Sequence, residues 1–457
     1  MKRFLLVSLC LIAAAIAYSL DIDGNFMTEL RISLEDGSYV FNQENGTLAF
    51  EHQVDDNLFA MAKLRFRYFN SPLGLQSGSS VLSVSELSVL SAIGPVEISL
   101  DEAYFEYTNF LVDGLDISMG KQRIQWGTAD VLNPTDILNS LDLSDPFDFG
   151  RKIPCIAAML RYTFPESEAF ILGVWEPFSP VARSNPLVAM GIEAGLVQPP
   201  AISAVNADSG TVLTPQPELS NSLFAVKAGV PVAGFDFSVN FVTRISDIPL
   251  VSAVAVDGFG GNVTSYTLSY YREYEAGIDV VKDWNVLLTW AEVAVFWQDA
   301  QTTETDIFGI GISTATALPA DPYVKYTVGF DKQFGSFFYL NVQYAHGFFT
   351  ERGNTGPGRL QDYCMMRFET RLFDDRLVIG LTGLVNVNNM YEAVASDDFF
   401  GYIADNYGVL GGLEIVYKPS LSVKLSMGIM LFEGTSTANI GTMKDSDFVY
   451  MKAEFFY

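Results

Sequence analysis

The sequence predicts an all-β fold: one transmembrane antiparallel β-barrel of about eighteen strands, with sixteen the nearest alternative count. Three observations carry this. Segments of about ten residues alternate apolar and polar positions along nearly the whole chain, the pattern of strands with lipid on one side and water on the other. Tight connections alternate with long polar ones, as they do when one end of a barrel carries turns and the other carries loops. Aromatics make up 13% of the 457 residues, with 35 Phe and 21 Tyr against 5 Trp, a supply of amphipathic rings suited to membrane interfaces.

At the N-terminus, Lys2 and Arg3 precede the apolar run Phe4 to Ala17, and Ala15-Ile16-Ala17 and Ala17-Tyr18-Ser19 are small-x-small cleavage sites. This predicts a secretory signal peptide over residues 1–19 and a barrel over 20–457, because the run is too short to span a bilayer as a helix. Cys10 is no lipidation site, since Leu9 is too large for the position before it. No later apolar run approaches the length of a spanning helix, so crossing falls to strands.

The strands read clearly in several places. Phe26, Thr28, Leu30 and Ile32 alternate with Met27, Glu29 and Arg31; Ala60, Ala62, Leu64, Phe66 and Tyr68 alternate with Lys63, Arg65 and Arg67. Phe235, Phe237, Val239 and Phe241 oppose Asp236, Ser238 and Asn240, and Val324, Tyr326, Val328 and Phe330 oppose Lys325, Thr327 and Asp331. Leu421 to Leu431 alternates in the same way. Residues 24–53 and 81–108 are the least regular. Between Leu100 and Tyr107 the charges of Asp101, Glu102 and Glu106 fall on both faces, which points to a bulge.

Tight connections are expected at 54–57, 109–114, 165–168, 230–234, 332–335, 373–375 and 418–420, on the side that holds both termini. Long ones are expected at 70–95, 127–154, 177–220, 246–263, 298–322, 347–360, 388–407 and 433–446. The longest, 177–220, is too apolar at Leu187–Met190 to wave in water, so it is expected to pack at the barrel mouth or fold inward and narrow the lumen. A soluble sandwich also alternates, but this many strands would make two or three sandwiches, and no linker or composition break divides the chain.

The last residues close the argument for a membrane barrel. Val449, Met451, Ala453, Phe455 and Tyr457 share one face, while Lys452 and Glu454 lie on the other. The ending Phe-Phe-Tyr resembles the C-terminal signal that outer-membrane β-barrel proteins present to their insertion machinery. Phe455 and Tyr457 would be its anchors, with outer-membrane lipid and that machinery as partners.

A second resemblance runs from residue 100 to 142. Leu100-Asp101-Glu102-Ala103-Tyr104 is followed by Gly120-Lys121-Gln122-Arg123-Ile124-Gln125-Trp126-Gly127, then Asp130 and Asn133-Pro134-Thr135-Asp136. This is similar to the pattern "G-K/R-Q-x-x-x-W-G … D … N-P-x-D" of a broad family of Gram-negative outer-membrane porin-like barrels. It implies a strand ending in Gly-Lys-Gln, a Trp-Gly turn and an ordered segment over or within the pore. Lys121, Gln122, Trp126, Asn133 and Asp136 would pin that loop, and Thr135 or Asp136 would cap a short helix.

The inward-facing charges form the functional core of the reading. Lys63, Arg65 and Arg67 make a ladder on one strand; Arg161, Lys227, Arg367 and Arg371 fall on inward positions too, as do Glu292, Lys325, Glu369, Glu414 and Lys418. Ladders of charge near a constriction sort solutes by charge and dipole. Basic inward positions outnumber acidic ones, whereas acids such as Asp142, Asp145, Asp148, Asp397 and Asp398 concentrate in loops. The expectation is therefore a pore that tolerates or prefers anions beneath an acidic rim.

Other classes fit poorly. Beyond residue 19 the chain carries 25 basic against 54 acidic residues, the opposite of a nucleic-acid footprint. Cys155 and Cys364 are too few for a disulfide framework. With only His52 and His346, no metal-ligand spacing appears and no catalytic residue is assigned. No cofactor is implied. The sequence reads as a channel for passive diffusion of small polar solutes. Alternatives are a barrel-anchored surface adhesin or a transporter of hydrophobic substrates, and a homo-oligomer is left open.

Overall fold

The computed structural model describes residues 20–69, 96–143, 145, 150–177, 183–184, 210–256, 263–307, 311–356 and 358–457. The expected signal peptide lies outside them, as does most of the 177–220 connection. Eighteen strands form one sheet. In chain order they are β1 (Leu20–Ser33), β2 (Tyr39–Gln53), β3 (Leu58–Phe69), β4 (Val96–Tyr107), β5 (Leu115–Gln122) and β6 (Cys155–Thr163). Next come β7 (Phe170–Glu176), β8 (Leu223–Val232), β9 (Phe235–Ile245), β10 (Arg272–Asp283), β11 (Leu288–Gln298) and β12 (Tyr323–Phe334). The last are β13 (Phe338–His346), β14 (Asp362–Leu372), β15 (Leu377–Val387), β16 (Tyr407–Ser420), β17 (Val423–Gly434) and β18 (Phe448–Phe456).

Each strand pairs antiparallel with the next, and β18 returns to β1 from Asn25↔Phe456 to Ser33↔Phe448. Gly24 and Tyr457 extend that seam by exchanging backbone bonds of 3.1 Å. Closure leaves no sheet edge facing lipid, where an unpaired amide would cost several kcal/mol (about the desolvation penalty of a peptide group).

Side-chain alternation sets the two faces. On β8, Phe224, Val226 and Val230 are exposed on the outer wall, while Leu223, Ala225 and Lys227 are buried inside. On β18, Met451 and Phe455 point outward and Phe448 is buried within. The expected bulge sits on β4. Lys63 pairs with Glu102 and Leu64 with Leu100, leaving Asp101 as the extra residue. The insertion turns both Asp101 and Glu102 to the lumen, which is why charge seemed to occupy both faces.

The tight connections expected from the sequence lie at the end that holds the termini. The β8–β9 turn has Ala233 and Gly234 at φ 53° and 73°, the left-handed pair that matches hairpin twist. A further tight turn at 284–287, absent from the expected connections, joins β10 to β11, with Asn285 at φ 63° reversing the chain. At the opposite end the β1–β2 connection is short, an exception to the long-loop pattern. There the connections also build a five-stranded sheet from Gly210–Leu213, Leu250–Val256, Val263–Ser269, Gln301–Ile307 and Gly311–Leu318. Two short helices, α1 (Met390–Ala395) and α2 (Phe399–Asp405), carry Asn389 and Asp398 as side-chain caps.

The apolar core lies inside the barrel, between the wall and the β5–β6 connection. Ile124, Trp126 and Leu138 of that connection pack with Ala157, Leu172, Val174, Leu223, Ala225 and Val242 on one side. Leu132 packs with Ala345, Tyr363, Leu384, Leu410, Phe432 and Phe448 on another. A barrel of this girth cannot fill its interior with wall side chains alone. Here the β5–β6 connection supplies filling, joined by Phe348, Phe349 and Ile440 from other connections.

Candidate functional site: the inward loop and its charged moorings

The segment between β5 and β6 begins with a tight local fold. Ile124 N–H donates to Asn139 Oδ1 at 2.7 Å, and Asp136 N–H donates to Asn133 Oδ1 at 3.0 Å. This asparagine turn takes the place of the helix cap expected at Thr135 or Asp136; Pro134 has no N–H to give, and no helix forms there. The Asn133 side chain lies where a Cβ on Gly127 would sit, 2.0 Å away, so the Trp-Gly turn requires the glycine.

Glu292, entirely buried on β11, is the central mooring. Its Oε1 accepts from Thr128 N–H at 2.5 Å, Ala129 N–H at 2.6 Å and Thr128 Oγ1 at 3.1 Å. Its Oε2 accepts from Thr135 Oγ1 at 2.9 Å and Thr135 N–H at 3.3 Å. Gly277 on β10 makes room, since a Cβ there would stand 2.8 Å from Thr135 Cγ2.

Other strands hold the loop around the ring. On β13, Gln343 donates to Leu132 O at 2.6 Å and accepts from Val131 N–H at 3.2 Å, and Asn341 donates to Asp130 at 3.0 Å. On β8, Lys227 donates to Trp126 O at 2.5 Å and pairs with Asp279 at 2.8 Å. On β9, Arg244 donates to Ile137 O at 2.5 Å. On β1, Arg31 grips Asp145 with two bonds of 2.7 Å while donating to Glu29 at 2.8 Å. Arg67 of β3 lies 3.5 Å from Asp142, which Arg151 approaches at 3.2 Å.

Asp142 and Asp145 correct an expectation. They do not belong to an acidic rim; both are buried, as the partners that neutralise Arg67 and Arg31. A loop that turns inward needs carboxylates to meet a basic wall, because an unpaired buried charge is costly.

The sequence-assigned residues separate into two sets. Arg67, Lys227, Glu292 and Lys325 are buried against connections. Lys63, Arg65, Arg161, Arg367, Glu369 and Arg371 keep part of their side chains open to the interior. Lys63 sits 3.9 Å from Glu102, Arg65 2.8 Å from Asp101, and Arg367 2.7 Å from Glu369, which Arg371 approaches at 3.3 Å. Arg161 lies over the Phe170 ring, 4.3 Å from its centroid. Gln122 donates to Ala157 O at 3.2 Å, and Lys152 donates to Asp136 O at 2.6 Å. Lys121 does not reach the loop; it donates to Leu100 O at 2.5 Å on the neighbouring strand.

Residues the sequence reading missed are mainly acids. Asp101 was hidden by the bulge. Glu273, Glu275 and Asp279 lie on β10, where Arg272-Glu273-Tyr274-Glu275 shows no apolar alternation to mark a face. Above them, Asp247 accepts from Leu141 N–H at 2.9 Å and pairs with Arg244 at 3.2 Å. Burial pushes the Asp247 carboxyl up, but Arg244 and the Leu141 amide overcome this and hold it below its ordinary value.

These elements define a large closed barrel whose interior is crossed by one moored loop among paired charges. No family model matches the chain, and no curated protein matches it. Among solved structures, Pseudomonas aeruginosa OpdK with vanillate is 9% identical with a TM-score of 0.49, covering 96% of this chain and 98% of that one. P. aeruginosa OccK9 (OpdG) is 9% identical with a TM-score of 0.48, covering 96% and 97%. Pseudomonas putida OprB is 10% identical with a TM-score of 0.43, covering 97% and 96%.

Proposed function

We propose that this protein is a porin-like channel of the outer membrane that passes small polar solutes by passive diffusion. The observation that carries this reading is the loop over residues 123–154, docked across a closed eighteen-stranded wall whose inner face is polar. Such a loop narrows a lumen, and polar inner faces suit polar cargo better than hydrophobic cargo.

Lys63, Arg65, Arg161, Arg367, Glu369 and Arg371 are the side chains we assign to contact with passing solutes. Around the ring, Lys63 and Arg65 on β3 face, across the lumen, the β12–β13 wall with Asp331 and the loop's Asp130. The transverse field between them orients dipoles and zwitterions. Inward acids offset the excess of inward base expected from sequence, so ion selectivity should be weak.

Purified, refolded protein in planar bilayers tests the proposal. Discrete conductance steps with a reversal potential near zero in a salt gradient are expected. A protein that inserts yet never conducts would refute the channel and favour a barrel-anchored adhesin. Strong cation preference would refute the assignment of the basic wall.

A further inference from the structure

Above the inward loop lies a cavity of about 50 Å³ bounded by Asn133, Asn139, Phe296, Tyr323, Phe348 and Phe349. Beside three carboxylates, Asp136, Asp247 and Glu273, four cations line it: Lys152, Arg244, Lys325 and Arg352. Two have carboxylate partners. Arg244 lies 2.7 Å from Glu273, and Lys152 lies 4.0 Å from Asp136. The other two do not. Lys325 donates only to Phe348 O at 2.8 Å and Phe349 O at 3.5 Å. Arg352 donates to Ile248 O at 2.8 Å, Tyr271 Oη at 3.1 Å and Pro249 O at 3.2 Å. Among the described residues neither has a carboxylate within 4.0 Å, and both side chains are more than nine-tenths buried.

Glu351, the acid next to Arg352 in the chain, is already committed. Its Oε2 accepts from Phe348 N–H at 2.7 Å and Gln361 N–H at 2.9 Å, and its Oε1 accepts from Tyr363 and Asn439. Burial also pushes the Glu351 carboxyl above its ordinary value, against those donors. A buried cation that touches only neutral acceptors is costly, and the lining carboxylates are engaged with Lys152 and Arg244, so a small anion in direct contact would relieve Lys325 and Arg352. Carbonyl oxygens relieve part of this, and aromatic rings form part of the cavity wall. Lys325 is also built in, not stranded: a Cβ on Gly347, at φ 96°, would meet its stem at 2.8 Å.

We infer that this cavity is a binding site for one small monovalent anion, a halide or a short carboxylate, held between Lys325 and Arg352. Its volume takes such an ion with at most a few waters, since each water needs about 10–15 Å³. Lys325 comes from β12, Arg352 from the β13–β14 connection, and Asn133 and Asn139 from the inward loop. A bound anion therefore ties the loop to the mouth of the barrel. The site stabilises the docked arrangement and is separate from any solute path, so it stands or falls independently of conductance.

The test uses thermal unfolding of the refolded, full-length barrel in detergent, in sodium chloride, bromide or acetate against equal sodium gluconate, whose anion is too large for the cavity. The melting temperature of the wild type is expected to rise with the small anions and to saturate. Lys325→Met and Arg352→Met are each expected to lose that rise, while Lys63→Met keeps it. Equal melting in all salts, a rise undiminished in either cavity variant, or one lost equally in Lys63→Met overturns the proposal. Should either cavity variant fail to refold, wild-type crystals soaked in bromide decide: an anomalous peak touching Lys325 Nζ and the Arg352 guanidinium supports the site, and an empty cavity refutes it.

Discussion

Replacing Glu292 with alanine attacks the mooring on which the channel reading most depends. The truncation strands three backbone donors, Thr128, Ala129 and Thr135 N–H, together with the Thr128 and Thr135 hydroxyls. The hydroxyls can rotate toward other acceptors, but the amides cannot. A buried N–H left without a partner costs about 1–3 kcal/mol, so the three together cost roughly 3–9 kcal/mol in the docked state. Even the lower figure reduces the docked-to-undocked ratio about a hundredfold, at about 1.4 kcal/mol per factor of ten. The strand ladder is untouched, so the barrel should still resist SDS without heating. Single-channel recordings should show a larger open conductance and frequent switching between levels. Glu292→Gln, which keeps one acceptor oxygen, should fall between. Wild-type conductance and quiet records from Glu292→Ala would show that these bonds do not hold the loop, and the reasoning would fail.

Other expectations follow from the same geometry. Gly277→Ala puts a methyl 2.4 Å from Glu275 Oε1 and 2.8 Å from Thr135 Cγ2, so it should reproduce the larger, unsteady conductance while leaving the Glu292 carboxylate in place. Asp247 has a depressed carboxyl pKa; its contribution is complete above its ordinary value of 3.8 and is lost as pH falls through the lower folded value. Melting curves from neutral pH into acid should thus fall more steeply for the wild type than for Asp247→Asn, which starts less stable. Deleting Tyr457 removes the ring that covers Gly24 and two seam bonds of 3.1 Å; refolding yield, read by heat-modifiable mobility on gels, should drop.

Much of the fold was legible because a membrane barrel writes its two solvents directly into sequence. Segments such as 62–68 and 423–429 alternate, and the Ala233-Gly234 hairpin announces itself. Where local chemistry mimicked the wrong state, reading failed. Trp284 to Leu287 turns with no Gly or Pro to mark it, because Asn285 tolerates a left-handed backbone that periodicity does not reveal. The site was less legible. The motif from Gly120 to Asp136 located the inward loop, but its partners lie far away in sequence: Glu292 is 157 residues from Thr135, and Asp145 is 114 from Arg31. Alternation tells which way a side chain points and nothing of its height. Glu292 and Arg65 therefore looked alike, although one is sealed and the other only partly covered.

This separation of height from direction also explains how so acidic a chain can present a basic wall. Arg31 and Arg67 are consumed by Asp145 and Asp142, carboxylates that the inward loop itself delivers. Those pairs are buried, so salt screens them little, and they act as fixtures instead of as a field. What a solute would meet is the remainder: Lys63, Arg65, Arg161, Arg367 and Arg371, tempered by Asp101, Glu102 and Glu369, with Asp130 and Asp331 opposite Lys63 and Arg65. Net charge counts fixtures and remainder together, so it cannot report the sign of the lumen. Reversing one member of the remainder, as in Lys63→Glu, should move the reversal potential toward cations, whereas neutralising Asp142 should alter loop docking before it alters selectivity.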